Sequence, residues 1–490
     1  MSFGKGWWKY IAGGKHRESS KPEARISKQV RNPKVLKLKN TQPGVLDFPD
    51  SGLFRLPANG VQEGQAGISS LEFRVSSRIV VSLSAVHRSC NPLAIAPLFS
   101  YLLLMRRVYL DHAATSPLDP QVFEAMQPFF SGTYGNASSV HWFGRQARQA
   151  LEDARERVAQ SIGAQPGEMF FTSGGTESNN MAIKGVAIAS KDRNKKNHVI
   201  TSQAEHHAVL EPCEHLAGEG VDATVLPVDS YGVVDEGQVR DTLRPGTGLI
   251  SIMVANNEVG SISPIREIAA VARERGVVMH SDAVQALGKI PVNVDALGVD
   301  LMTLSAHKIN GPKGIGALYV RRGTPLDPII FGGGQERGKR PGTENVPLAV
   351  GFARAVDLTM AQVEQESQRL RILRDELERR ILELFPAAIR NGHPDNRLPH
   401  ILNVSFDSTR QPFEGETLLM NMDLNGIALS SGSACTSGSV QPSHVLLAMG
   451  RDEKTAKATL RFSFGRGNTM EDVEYTIHAL QEVVERMISR

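Results

Sequence analysis

Six short apolar runs divide residues 168–322: "EMFFTS", "NHVITS", "GLISIMVA", "GVVMHSD", "DLMTLS" and "GIGALYVRR". Each is followed by a turn and then by residues spaced for a helix. Runs this short and this apolar suit strands covered above and below, and their alternation with helices requires a mostly parallel α/β sheet. Ligands of such sheets gather at the carboxyl ends of the strands, which is where the polar residues of these runs cluster. Upstream, "QARQALEDARERVAQSIGA" has the spacing of an amphipathic helix, with Ala147, Leu151, Ala154, Val158 and Ile162 on one side. Downstream, the charged helical stretch 362–385 leads into a second, smaller domain. That domain holds "HILNVSF", the run "SSGSACTSG", "LRFSFGR" and a last helix that opens on a capping box, Thr469 to Asp472.

Residues 1–104 break the pattern. They carry fifteen Lys and Arg against six Asp and Glu, in a chain of 490 residues whose net charge is only +3. With little periodicity, this stretch is expected to be largely unordered. It reads either as an organelle-targeting peptide or as sequence upstream of a natural start at Met105. The expected organisation is a basic extension 1–104, a segment 105–116 packing with the small domain, a large domain 117–365 and a small domain 366–490. With a net charge of only +3 the chain has no global basic field for nucleic acid, and no run reaches the roughly 18 apolar residues of a membrane span. Cys90, Cys213 and Cys435 are far apart and form no C-x-x-C pair, so no resident metal and no disulfide framework is expected. Such usage fits a reducing compartment. The cytoplasm is the expected location, or an organelle if 1–104 is a transit peptide. Cys213 reads as a small buried hydrophobe.

Three features describe one ligand. In "FTSGGTESNN" a strand ends, Gly174 and Gly175 turn, and a helix opens whose free amides suit a phosphate. The strand "GVVMHSD" ends on Asp282, a carboxylate that either caps a helix or faces a protonated ring nitrogen. In "LSAHKINGPKG" Lys308 stands just past another strand end, among small and hydroxyl-bearing neighbours, where an amine can lose its proton and condense with an aldehyde. Phosphate cradle, ring counter-ion and Schiff-base lysine together describe pyridoxal 5′-phosphate. Neither a Walker loop nor a G-x-G-x-x-G signature is present.

These motifs, with "YLDHAATSP", "GNASSVH", "EHHAVL", "NNEVG", "GGGQERGKRPGTENV", "SSGSACTSG" and "LRFSFGR", resemble in order and spacing the NifS/IscS-like cysteine desulfurases. The resemblance covers nearly all of 105–490. It implies the fold type I, aspartate-aminotransferase-like fold of pyridoxal-phosphate transferases. It also implies conversion of L-cysteine to L-alanine by a homodimer that passes sulfur to an iron–sulfur scaffold protein or to tRNA thiolation. By the resemblance, Lys308 bonds the cofactor, Asp282 faces the ring nitrogen, and Gln285 reaches the ring hydroxyl. His206 stacks on the ring and helps move protons. Gly175, Thr176, Ser305 and His307 hold the phosphate, and Thr343 reaches the partner subunit's phosphate site. Asn257 and Arg461 hold the substrate carboxylate, for which a guanidinium fork is suited. Cys435 is the nucleophile, and as the sulfur carrier it could transiently ligate an iron–sulfur cluster.

The composition around Cys435 fits that role. Only Ser, Gly, Ala and Thr surround it, so little apolar surface holds the loop down, and a thiol bearing a persulfide can swing from the substrate to an acceptor. Two rival readings stand beside this one. A selenocysteine lyase or another lyase or transaminase would keep the cofactor and change the reaction. A non-enzymatic sulfur scaffold would be marked by loss of Lys308 or Asp282, and both are present.

Overall fold

A computed structural model describes residues 106–410, 413–431 and 441–488, together with two earlier strands. Those strands, β1 (Ser70–Ser76) and β2 (Ile79–Ser84), pair antiparallel with Ser70 opposite Ser84. The other expectations for 1–104, with Cys90, and those for Cys435 lie outside the described residues.

A seven-stranded sheet forms the centre of the part that begins at Met105. Its strands are β4 (Met169–Thr172), β5 (His198–Ser202), β6 (Asp222–Leu226), β7 (Thr247–Ser251), β8 (Val278–Asp282), β9 (Leu301–Ser305) and β10 (Gly316–Val320). A short strand, β3 (Val108–Tyr109), precedes them. The order across the sheet is β4-β10-β9-β8-β7-β5-β6, parallel except for β10, which runs against both neighbours. All six apolar runs are strands. The seventh, β6, was not read from the sequence: it lies at the sheet edge, begins on Asp222 and is largely uncovered.

The inner strands are buried on both faces because two separate apolar layers cover them. On one face, helices Trp142–Gln160, Ile265–Glu274 and Val346–Met360 bring Leu151, Ile268 and Phe352 onto Ile250, Met279 and Leu304. On the other, helices Gly175–Asn194 and His207–Ala217 bring Ile183, Val186 and Leu216 onto Val199, Leu249 and Leu318. Cys213 belongs to this second layer. It is fully buried, and burial pushes its thiol up to about 12, so it remains a neutral apolar filler.

The helices Val346–Met360 and Val363–Leu384 meet at 72°, and this bend carries the chain out of the sheet layers. The second helix turns Leu370, Leu373, Leu377 and Ile381 into another core, built over the antiparallel strands β11 (Ala388–Asn391), β12 (Ile401–Phe406) and β14 (Thr459–Ser463). Strand β13 (Ile427–Ala428) pairs in parallel with β3, so Val108 and Leu110 complete this smaller core. The last helix, Met470–Ile488, has the carboxylate half of the capping box: Asp472 accepts from the Thr469 N–H at 3.1 Å. Among the described residues no single helix is long and apolar enough to cross a membrane.

Candidate active site

The carboxyl ends of β4, β5, β7, β8 and β9 deliver the residues of the site. Lys308 sits in a single helical turn, Ala306–Ile309, between β9 and β10. Its Nζ donates to the carbonyls of Ala113 and Ala114 at 2.6 and 2.7 Å. Burial, aided by the nearby Arg461 cation, lowers this amine to about 8, although Asp111 and Asp282 oppose the shift. About a tenth of such an amine is neutral at pH 7, against less than about a thousandth for an ordinary lysine. The site thus supplies a nucleophilic nitrogen without a separate base.

Asp282 is the last residue of β8 and is 7% exposed. Its two oxygens accept from Asn179 Nδ2 at 2.7 Å and from the Val284 N–H at 2.9 Å, fixing the carboxylate at the strand end. Gln285 is buried, and its amide donates to the Ala113 carbonyl at 2.9 Å. Lys308 and Gln285 therefore share one backbone acceptor from the N-terminal segment.

His206 caps the helix His207–Ala217. Its Nδ1 accepts from the Ala208 N–H at 3.0 Å, which leaves the proton of the neutral ring on Nε2. The ring is open to solvent yet ringed by protein. Burial lowers its pKa, and the Lys308 and His207 charges push the same way, against Asp282 and Glu258. It is neutral at pH 7.

At the helix start after β4, Gly175 and Thr176 are in the first turn and no side chain caps the amides. A Cβ on Gly175 would come within 3.0 Å of Val284 Cγ2 and near Ser305 Cβ, so the cradle is held tightly against β8 and β9. Ser305 is buried at the end of β9. His307 is lowered to about 4 by burial, with Lys308 and Lys313 adding to the shift, and its Nδ1 pairs with Thr115 Oγ1 at 3.1 Å. Thr343 is exposed, on the loop before helix Val346–Met360. It borders a cavity of about 260 Å³ together with Thr172, Ser173 and Arg340.

Arg461, on β14, is 4% exposed. Its guanidinium donates to the Asn257 carbonyl at 3.1 Å and pairs with Asp111 at 2.9 Å, so the two residues expected at a substrate carboxylate do meet. Both flanks of the 432–440 segment are fastened to this same site. The Arg461 N–H donates to the Ser430 carbonyl at 2.6 Å on one side. On the other, Ser443 Oγ bonds Glu258 at 2.5 Å, and His444 Nε2 bonds the Glu205 carbonyl at 2.9 Å.

Several site residues escaped sequence reasoning. Asn179 and Asp111 lie inside quoted motifs, but nothing local shows that one holds Asp282 and the other Arg461. Glu205 is fully buried, accepts from Ser202 Oγ and the Met253 N–H, and is pushed by burial up to about 8, so it is protonated at neutral pH. Glu336 is a further case. It accepts two parallel bonds from Arg155, at 2.7 and 2.8 Å, and one from the Phe171 N–H, all buried. Glu336 and its neighbour Arg337 both have left-handed backbones, φ 44° and 54°, which L-residues adopt at a cost. Arg155→Ala would leave a buried carboxylate unpaired, and a loss of roughly 3–5 kcal/mol of unfolding free energy is expected. Urea titration checks this; a loss under about 1 kcal/mol would show that the pair does not hold this loop.

The donor set fits pyridoxal 5′-phosphate: a helix start with no side-chain cap and a glycine packed closely against Val284, a buried carboxylate whose charge acts on Lys308, and a partly neutral amine. Among the described residues no three His, Cys, Asp or Glu side chains stand close enough to hold a metal ion.

Comparison with known proteins gives the family of the chain. The family model "Aminotransferase class-V" matches residues 108–476. Cysteine desulfurase IscS of Dictyoglomus turgidum is 50% identical over 388 residues, which is 78% of this chain and 96% of that protein. The mitochondrial cysteine desulfurase of Arthroderma benhamiae is 49% identical over 382 residues, covering 77% of this chain and 75% of that one. A solved NifS-like protein superposes with a TM-score of 0.72 at 39% identity, over 78% of this chain and all of that one.

Proposed function

This chain belongs to the aminotransferase class-V family, among its NifS/IscS-like cysteine desulfurases, and we infer that it converts L-cysteine to L-alanine and takes the sulfur onto Cys435. The observation that carries the reading is Lys308: an amine lowered to about 8, set between β9 and β10 within the influence of Asp282 and Arg461.

Class-V aminotransferases use pyridoxal 5′-phosphate, and in this chain Thr176, Gly175, Ser305 and His307 would hold its phosphate, with Thr343 serving the partner subunit of a homodimer. Asp282, Gln285 and His206 would hold its ring, and Lys308 would bond it. When bound, the cofactor supplies an electron sink for the charge left by a departing α-proton. The protein's own part is positional and protonic. Arg461 and the Asn257 side fix the substrate carboxylate as a fork. Lys308 Nζ, near neutrality, can take up or release a proton at the substrate's α-carbon. The neutral His206 ring offers its face and an Nε2 proton. The Cys435 thiolate attacks the substrate sulfur; the S–S bond forms as the C–S bond breaks, and the carbon fragment, after gaining protons, leaves as alanine. With both flanks tied at Arg461 and Glu258, the segment bearing Cys435 begins and ends at the site mouth.

The acceptor is an iron–sulfur scaffold protein or another thiol carrier. The cytoplasm suits the free-thiol chemistry, and the mitochondrial relative marks the organelle alternative. The test is product analysis with L-cysteine and L-selenocysteine. Alanine is expected from L-cysteine. Pyruvate and ammonia in its place would replace this reading with a β-eliminating lyase, and a strong preference for L-selenocysteine would replace it with a selenocysteine lyase.

Arg461→Lys tests the carboxylate fork. Losing a bidentate contact is expected to raise KM for L-cysteine by roughly tenfold or more with the cofactor spectrum unchanged. An unaltered KM would move the substrate carboxylate elsewhere.

A further inference from the structure

The loop that carries Thr343 is tied back to the phosphate cradle of its own chain. Arg340 Nε donates to Glu177 Oε1 at 2.7 Å, and its Nη2 lies 3.3 Å from Oε2. Glu177 is in the first turn of the cradle helix, next to Thr176, and its Oε2 also accepts from the Ser173 N–H at 2.8 Å. The pair is shielded: the side chains are 25% and 13% exposed. Burial alone would raise the Glu177 carboxyl, but the bonds from Arg340 and Ser173 outweigh it and hold it below the ordinary carboxylate range. The loop borders the 260 Å³ cavity through Glu336, Arg340 and Thr343. Polar ties at Glu336, Arg337 and Arg340 fasten it to the rest of the domain.

A carboxylate in this position is a paradox. A negative charge at a helix start stabilises the empty helix, but it repels the phosphate dianion that the same amides are to bind. Something must cancel it locally. We propose that Arg340 is a positioning residue for the cofactor phosphate, acting through Glu177: it neutralises and turns aside that carboxylate so the helix start can accept a dianion. The proposal rests on the reading above that this cradle takes pyridoxal 5′-phosphate.

The full-length protein, freed of cofactor by dialysis, is titrated with pyridoxal 5′-phosphate and separately with pyridoxal, which lacks the phosphate. Arg340→Ala is expected to weaken the phosphorylated ligand about tenfold and to leave pyridoxal unchanged. Glu177→Gln keeps the acceptor for Ser173 and removes the charge; alone it should tighten the phosphorylated ligand. Combined with Arg340→Ala it should restore most of the lost affinity, a rescue that a merely structural arginine would not show. Wild-type affinity in Arg340→Ala overturns the proposal, and so does a double variant as weak as the single one. If Arg340→Ala does not fold, Glu177→Gln decides alone: tighter phosphate-ligand binding upholds the proposal, and unchanged binding overturns it. Unsubstituted protein that takes up neither ligand removes the reading beneath the proposal. Unsubstituted protein that binds normally, with variants that match it, removes only the proposal.

Discussion

Lys308→Ala is expected to lower kcat by roughly 10³-fold or more and to yield protein whose cofactor cannot be fixed to the chain by borohydride. The expectation comes from the surroundings of the amine. Two carbonyls aim Nζ, burial weakens its hold on the proton, and Arg461 adds a like charge. Burial lowers Lys289 to about 8 as well, but the Asp282 charge acts on Lys308 and is not among those acting on Lys289. Peptide mapping after reduction is the direct check; label on any other lysine would dismantle the assignment. The sign of the pH effect is fixed as well. Only the neutral amine attacks an aldehyde, and the folded-state value lies below the ordinary lysine value. Covalent capture of the cofactor should therefore quicken as pH rises and level off above about 8. An ordinary lysine would keep gaining to beyond about pH 10.

Cys435→Ala is the second large effect. Without a thiolate to receive it, the substrate sulfur has no acceptor, and alanine formation in the absence of added thiol should fall by roughly 10²-fold or more. The substrate-induced change in the cofactor spectrum should survive, because Arg461, Asn257 and Lys308 are untouched. Parent-rate turnover in this variant would remove the persulfide step. Loss of the spectral change instead would mean that the residue serves substrate binding.

What was legible in the sequence follows physical lines. The five interior strands and the edge strand β4, all covered on both faces, announced themselves because such burial demands continuous apolar runs. Strand β6 did not, because an edge strand with a solvent-facing side can begin on Asp222 and alternate. The site residues carried by strand ends and glycine turns could be read off, since chemistry there needs particular side chains. Their supports could not. The acceptors that aim Lys308 are the backbone carbonyls of Ala113 and Ala114, which leave no mark on residue identity. The protonated state of Glu205 is a property of its burial and not of its type. Arg155 and Glu336 are 181 positions apart, so no local pattern joins them. Thr343 was picked out by resemblance alone; the geometry adds the Arg340–Glu177 tie, which connects its loop to the cradle.

Strand pairing on either side of Lys308 has a consequence for how such a chain can vary. Ser305 lies opposite Gly316, and the turn between them includes Asn310 in a left-handed conformation, with its amide on the Pro117 carbonyl. Adding or deleting one residue here would turn β10 over, trading the side chains of its two covered faces. The interval between the two strands is thus a fixed ruler, and lengthening or shortening of this polypeptide is confined to places where no ladder keeps count.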